Sequence, residues 1–464
     1  MGNITDFARI ETRDFTARPF DDVDALVLSQ LMYERMPDCV PTLAEAERRY
    51  AGLPARLRSF SPAHPFASLR ALWNPPFPAA SLKRIDHDLS PSDFRLDTNY
   101  AGLGDPACTA EFFRVLAVNP RFADLRFGAY EELHDETRQV QFGAATVDLG
   151  RIPAPTLAAS EPAPVAPAPT LAVVFRGTDT SLVGWKEDLN MASQYPIPAQ
   201  EAAARYLCRV ANLWPGRLLV MGHSKGGNLA VYAAMAAMAA SAEVAGRIGC
   251  VYSLDGPGFL PGMMGDHAAD YHAVKAKVRK IVPEASSVGM IFEQLDDADL
   301  SEYAAFVPVK SDGVGVMQHF SFTWQIDVTG VDGDRRFEGA AGSGAAVPAG
   351  SSGVAGARAA SATSAGAKVA SATSGLATAS MRFNKSLNDW VLSMPVEQRR
   401  RVIDSVYDVL RASGVSSIVE LPKSLPGSIP AMLGAVRNLS ADDLAQVGSA
   451  LRLLASAALN NLGK

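Results

Sequence analysis

A chain of 464 residues can bury one large core or two ordinary ones and still carry insertions. Its 48% apolar and 20% charged residues suit a globular protein, and a net charge of −6 without any Lys/Arg stripe argues against nucleic acid as a main partner. No run of about 18 uncharged apolar residues is present, so no transmembrane segment is expected. The charged stretch Met1 to Asp22 lacks the apolar centre of a signal peptide, which makes the expected location cytoplasmic.

Asp22 to Met36 has apolar residues at helical spacing behind an Asp cap, and Ala44 to Leu53 reads as a second helix. Pro54 to Asp105 is rich in Pro, Ser and Arg and shows no clean period, as in an irregular cap or a decorated surface. Ala110 to Leu116 reads as a short helix. Leu125 to Leu133 and Gln139 to Leu149 predict a hairpin turning at His134-Asp135-Glu136. Arg151 to Thr170, Pro- and Ala-rich, predicts an extended loop. The apolar Leu171 to Phe175 is the kind of strand found inside a parallel sheet.

Ala199 to Leu213 predicts an amphipathic helix leading into Leu218-Leu-Val-Met221, another apolar strand. Gly222-His223-Ser224-Lys225-Gly226 follows, and Asn228 to Ala240 is helix-forming. Further strands are predicted over Ile248 to Leu254, at the end of Val274 to Val282, and over Ala304 to Val309, with His267 and His272 in a helical segment between strands. Strands alternating with helices predict a parallel sheet covered on both faces. From Gly339 to Ser380 the chain is nearly all Ala, Gly, Ser, Thr and Val, a linker composition. Leu387 to Leu392, Val396 to Ala412 and Ser440 to Leu462 then read as helices, which either dock on the main body or form a small bundle. The expected division is therefore a main domain over 1–338, a linker over 339–380 and a helical region over 381–464.

Cys39, Cys108, Cys208 and Cys250 are widely spaced, with no C-x-x-C and no Cys/His cluster. They predict reduced thiols, and no metal site. The motif that carries chemistry is G-x-S-x-G between a strand and a helix, the arrangement of a nucleophile elbow. The sharp turn would hold Ser224 in a strained conformation at a helix N-terminus, where negative charge is favoured. A serine hydroxyl is a poor nucleophile near neutral pH and needs a base with an acid to orient it. Elbow geometry aims the adjacent His223 away from Ser224. His319, in the loop after the last predicted strand, stands where the Ser…acid…His order puts the base. Two carboxylates compete for the acid: Asp255, after the strand following the elbow helix, and Glu284, one strand later. Asp255 is preferred because the Asp-Gly-Pro-Gly sequence fits a tight turn that would aim it inward. An oxyanion hole would use the N–H of Lys225 and the loop after Phe175, where Thr178 offers both N–H and hydroxyl. Trp185 and Asp188 read as scaffold for that loop, and Arg176 as a buried ion pair bracing it. P-loop, H-E-x-x-H and G-x-G-x-x-G motifs are missing.

Phe175-Arg-Gly-Thr-Asp179, Gly184-Trp-Lys-Glu-Asp188 and Gly222-His-Ser-Lys-Gly226 resemble the class 3 (fungal-type) lipase pattern of the α/β-hydrolase superfamily. Together with Asp255-Gly-Pro-Gly-Phe259, Pro283 to Met290 and His319 to Trp324, the chain from Asp22 to Ile326 more closely resembles the bacterial Mbeg-like hydrolases. The resemblance implies an α/β-hydrolase fold with Ser224 as nucleophile, His319 as base and Thr178 in the oxyanion hole, and it leaves the acid open. The segment Lys186 to Pro198 corresponds to the lid of class 3 lipases. The function expected is cofactor-free hydrolysis of a carboxylic ester of a lipid or hydrophobic acyl substrate. Thioesterase, peptidase or acyltransferase chemistry would use the same groups. A rival of another class is a binding or scaffold protein that kept the fold without turnover.

Overall fold

The computed structural model describes residues 1–34, 36–73, 77–89, 106–157, 166–293, 297–329, 336–339, 376–417, 427, 430–432, 434–435, 437 and 439–449. Most of the expected linker and the end of the last expected helix lie outside the described residues. Among them, no helix is long and apolar enough to cross a membrane.

Up to Val118 the described residues are mainly helical, with α1 (Ile4–Ile10), α2 (Asp22–Leu31), α3 (Leu43–Tyr50), α4 (Leu53–Arg58), α5 (Pro65–Trp73), α6 (Leu82–Asp88) and α7 (Pro106–Val118). The segment expected to be irregular from Pro54 onward thus contains α4, α5, α6 and a short strand. Their brevity hides them from a periodicity test, since six to nine residues span about two and a half turns or fewer. Helix α2 starts where Asp21 accepts hydrogen bonds from the N–H groups of Val23 and Asp24 while the Asp24 carboxylate accepts from the Asp21 N–H. It ends at Leu31, earlier than expected, so that Tyr33 and Glu34 fall in a turn beyond it.

The strands β1 (Ala79–Ser81), β2 (Arg126–Asp135), β3 (Val140–Ile152), β4 (Ala168–Phe175), β5 (Arg217–His223), β6 (Ile248–Leu254), β7 (Val278–Pro283) and β8 (Ala305–Val309) form one sheet in sequence order. Pairing is antiparallel from β1 to β4 and parallel from β4 to β8. The expected hairpin is β2–β3, joined to the same sheet, and the Pro/Ala loop is shorter at both ends because β3 runs on to Ile152 and β4 begins at Ala168.

Sequential order with right-handed crossovers puts every crossover helix on one face. Helices α8 (Leu182–Asn190), α9 (Pro198–Leu213), α10 (Lys225–Ala240), α11 (Ala242–Arg247), α12 (Pro261–Met264), α13 (Ala268–Lys275) and α14 (Asp297–Leu300) connect these strands. On that face Leu171, Val173, Phe175, Leu218, Val220 and Val251 pack with Tyr206 and Leu207 of α9 and Leu229 and Ala233 of α10. The alternate residues Ala172, Val174, Leu219, Met221, Cys250 and Tyr252 point the other way, where Phe7, Leu26, Leu28, Phe112 and Leu116 of the N-terminal helices cover them. Burying each such Leu or Phe contributes about 1.5–3 kcal/mol. The middles of the central strands are therefore almost wholly apolar, which is why they read so plainly in sequence. Ion pairs fix α2 in this layer: the buried Arg121 holds Asp24 at 2.6 Å, and the half-buried Arg279 on β7 holds Asp22 at 2.5 Å.

Two more helices, α15 (Thr378–Leu392) and α16 (Val396–Arg411), pack against this body, the first of the two arrangements expected. The Asn384 amide donates to Ser286 O at 2.8 Å, and Asn388 bonds both Phe292 N and Glu293 O. Asp404 of α16 pairs with the buried Lys186 of α8 at 2.5 Å, and Leu182 N donates to Ser416 O. Residues 441–449 are helical as well. All four cysteines are free thiols, and among the described residues no cluster of His, Cys, Asp and Glu has a metal-binding arrangement.

Candidate active site

Strand β5 delivers its chain to the C-terminal edge of the sheet and turns at once into α10. The turn is made by Ser224, with φ 59° and ψ −134°, a left-handed conformation that costs a non-glycine residue about 1–3 kcal/mol. It is tolerated because its surroundings are fixed. Ser224 N donates to Leu254 O, and Ser224 O accepts from Gly227 N, both at 2.9 Å. A side chain on Gly222 would collide with the backbone of Gly226 at 2.3 Å, and one on Gly177 would come within 3.0 Å of Ser224 Cβ. These two glycines let the loop after β4 lie directly against the turn. Half-buried, the Ser224 hydroxyl stands at the positive end of α10.

The loop after β4 is bound to the turn through a buried polar network. Lys225 Nζ donates to Gln141 O at 2.9 Å, Gln141 Oε1 at 2.6 Å and Glu187 Oε2 at 2.9 Å. Glu187, also fully buried, accepts in addition from Gln141 N and Ala199 N. Its neighbour Asp188 accepts the Thr178 hydroxyl at 2.6 Å. Burial lifts the Asp188 carboxyl to about 6, against the opposing pull of Lys225. The expectation that Thr178 offers both N–H and hydroxyl is therefore corrected, because the hydroxyl proton is committed to Asp188. Among the described residues, the N–H groups of Thr178 and Lys225 donate no hydrogen bond. Arg176 runs back across the sheet to Glu132 at 2.7 Å, the bracing ion pair its position suggested.

Opposite, Asp255 follows β6 with φ 47°, a second strained residue. Its side chain is fully buried and takes three donors. Oδ1 accepts from Ser286 Oγ at 2.5 Å and Gly289 N at 3.0 Å, while Oδ2 lies 2.6 Å from His319 Nδ1. Glu284 is not part of this arrangement: its backbone bonds to Val309 and Ala377, and no hydrogen bond joins its side chain to His319 among the described residues. His319 sits in the loop after β8 with 15% of its side chain exposed. Its Nδ1 is committed to Asp255, leaving Nε2 as the free nitrogen.

His223 holds His319 from behind. It is buried, points away from the Ser224 side of the strand as its place in the turn requires, and stacks on the His319 ring with centroids 4.6 Å apart. Its Nε2 lies 2.8 Å from His319 O and its Nδ1 3.1 Å from the Tyr33 hydroxyl. Burial and the adjacent His319 push the His223 imidazole down to about 3, so it is neutral, with its Nε2–H donating to the carbonyl and its Nδ1 accepting from Tyr33. Burial raises the Tyr33 phenol, so it stays protonated and serves as that donor.

The sequence reading missed Tyr33, Ser286, Gln141 and Glu187. Tyr33 lies 190 residues from its partner and gives no local signal. Glu187 stands between Trp185 and Asp188, both singled out, and was legible only as an acidic residue beside a Lys-bearing motif. His64, His87, His267 and His272 take no part in these contacts; His272 instead pairs with Glu302.

A recess lined by Met191, Tyr195, Phe259 and Leu260 also includes Gln200 and Asn228, the latter one turn along α10 from Ser224. No curated protein and no solved structure matches the chain. Residues 116–336, which carry Thr178, Ser224, Asp255 and His319, match the model of the Mbeg1-like family.

Proposed function

We propose that the protein is a serine hydrolase of the α/β-hydrolase type that cleaves a carboxylic ester, of a lipid or another hydrophobic acyl compound. The observation that carries this reading is the Asp255–His319 bond of 2.6 Å beside a serine held at φ 59° between a strand and a helix. Ser224 Oγ attacks the ester carbonyl while His319 Nε2 takes its proton. Asp255 stabilises the imidazolium that results, and its two further donors keep it aimed. The N–H groups of Thr178 and Lys225 receive the developing oxyanion. His319 returns the proton to the leaving alcohol, giving an acyl-enzyme, which water then hydrolyses by the reverse proton traffic.

Labelling by a fluorophosphonate probe tests the assignment. Wild type should label, Ser224→Ala should not, and His319→Ala and Asp255→Asn should label about 10³–10⁴-fold more slowly. Glu284→Gln should match wild type, since its side chain does not reach the imidazole. Folded wild type that stays unlabelled overturns the reading in favour of a binding protein on the same fold, and Ser224→Ala that labels equally overturns Ser224 as the nucleophile.

A further inference from the structure

Helix α5 is nine residues long and contains no buried residue. Isolated helices of that length are marginal in water, and helices in proteins are held by burying an apolar face. The apolar face of α5 is intact but uncovered. Phe66, Leu69 and Trp73, at i, i+3 and i+7, form one stripe, with Phe66 85% and Trp73 80% exposed. On the preceding α4, Leu53 and Leu57, one turn apart, are exposed too, and Phe60 follows in the connection. The helices hold each other by polar bonds instead: Arg56 Nη1 donates to Leu72 O at 2.8 Å and Ser61 N to Ser68 Oγ at 2.9 Å. A hairpin tied together through its polar atoms, with its apolar side chains outward, is shaped to receive a partner.

Charge states which partner. From Arg48 to Ile85 the chain has no acidic residue, while Arg48, Arg49, Arg56, Arg58, Arg70, Lys83 and Arg84 are all basic, in a protein whose net charge is −6. Arg49, Arg58 and Arg70 are exposed and form no ion pair among the described residues. Phe, Leu and Trp on one side and arginines on the rim are the composition of an element that lies in the interface of a bilayer with anionic headgroups. We propose that the α4–α5 hairpin is a docking surface for an anionic phospholipid membrane, into which Phe66, Leu69 and Trp73 insert. The proposal is independent of the ester-cleavage reading.

The test is co-sedimentation of the full chain with vesicles of phosphatidylglycerol and phosphatidylcholine in equal parts, against phosphatidylcholine alone. Binding should favour the anionic vesicles, weaken as salt rises, and shift tryptophan emission to the blue. Phe66→Ser and Trp73→Ser should each weaken binding about tenfold, with Trp73→Ser also removing the emission shift. Arg58→Glu with Arg70→Glu should weaken it by at least about tenfold, on anionic vesicles only. All four side chains are exposed, so these variants keep the fold, which circular dichroism checks. Failure of wild type to sediment with either vesicle overturns the proposal, as does binding unchanged in Trp73→Ser. A dimer in light scattering that Trp73→Ser dissolves overturns it in favour of a second copy of the chain.

Discussion

Replacing Lys225 by Met removes the cation on which the turn and the loop after β4 converge. At the 2.9 Å separation from Glu187, and with an effective dielectric of about 20, the pair attracts by about 6 kcal/mol before desolvation is charged against it. Both side chains are almost wholly inaccessible to water, so Glu187 would be left as a buried carboxylate without its cation. It would keep donors from Gln141 N and Ala199 N, which soften the loss. The expected cost of Lys225→Met is about 3–5 kcal/mol, and Glu187→Gln alone should cost a similar amount by stranding the ammonium. In the double variant neither charge of the pair remains, and the new amide can donate toward the Gln141 oxygens that the lysine served. Its cost should fall to about 1–2 kcal/mol, well below the sum of the singles. Urea unfolding of the four proteins, followed through the buried Trp324, reads the cycle from midpoints and slopes. Additive losses in the double variant would refute the argument, and so would a Lys225→Met cost below about 1 kcal/mol.

His223→Phe keeps the ring but removes the donor to His319 O and the acceptor for Tyr33. It should cost about 1–3 kcal/mol for each stranded group and slow fluorophosphonate labelling of the folded protein at least about tenfold; labelling at the wild-type rate would remove His223 from its positioning role. Among the described residues, buried Glu34 has no hydrogen-bond partner for either carboxyl oxygen, and burial raises it from the ordinary 4.5 to about 8. Between these values the unfolded chain releases the proton and the folded chain keeps it. The stability Glu34 contributes is thus complete below about 4.5 and is lost as pH rises toward 8. Glu34→Gln should flatten that slope, measured as urea midpoints at about pH 5 and about pH 8; an unchanged slope would assign the pH dependence to other groups.

What the sequence shows best is what is buried on both sides. Leu171 to Phe175 and Leu218 to Met221 are apolar at every position, and Ile248 to Leu254 at nearly every one, because each strand faces a helical layer on both sides. The Gly222 to Gly226 motif was legible for the same kind of reason: few backbone conformations need glycine on both sides of a serine. Elements held by one or two side chains were not legible. Strand β1 has three residues and is defined by its pairing with Arg126 to Gly128, and α1 by Phe7 packing on residues more than a hundred positions away. Asp255 and Glu284 both follow parallel strands, so spacing alone left them open. What separates them is the backbone turn at φ 47° and the hydroxyl of Ser286, which comes from a different loop. Partnerships such as Tyr33 with His223 belong to the tertiary fold and leave no local trace.

The sequential order of the strands has a consequence for how the chain is made. A ribosome releases α1, α2 and α7 first, yet the surface they cover is built from β4, β5 and β6, which emerge later. During that interval their apolar faces have no sheet to rest on, and afterwards Gly2 pairs with Ile326, closing the body over nearly its whole length. Loop closure over such a distance is slow relative to local helix formation. The same layering sets where the chain can be divided. A fragment cut to residues 116–336 would keep Thr178, Ser224, Asp255 and His319 but lose Tyr33, and with it the helices α1 and α2 that pack over Ala172, Val174, Leu219, Met221 and Tyr252. The unit with a covered core is therefore larger than the unit that carries the motifs, because α1, α2 and α7 belong to it.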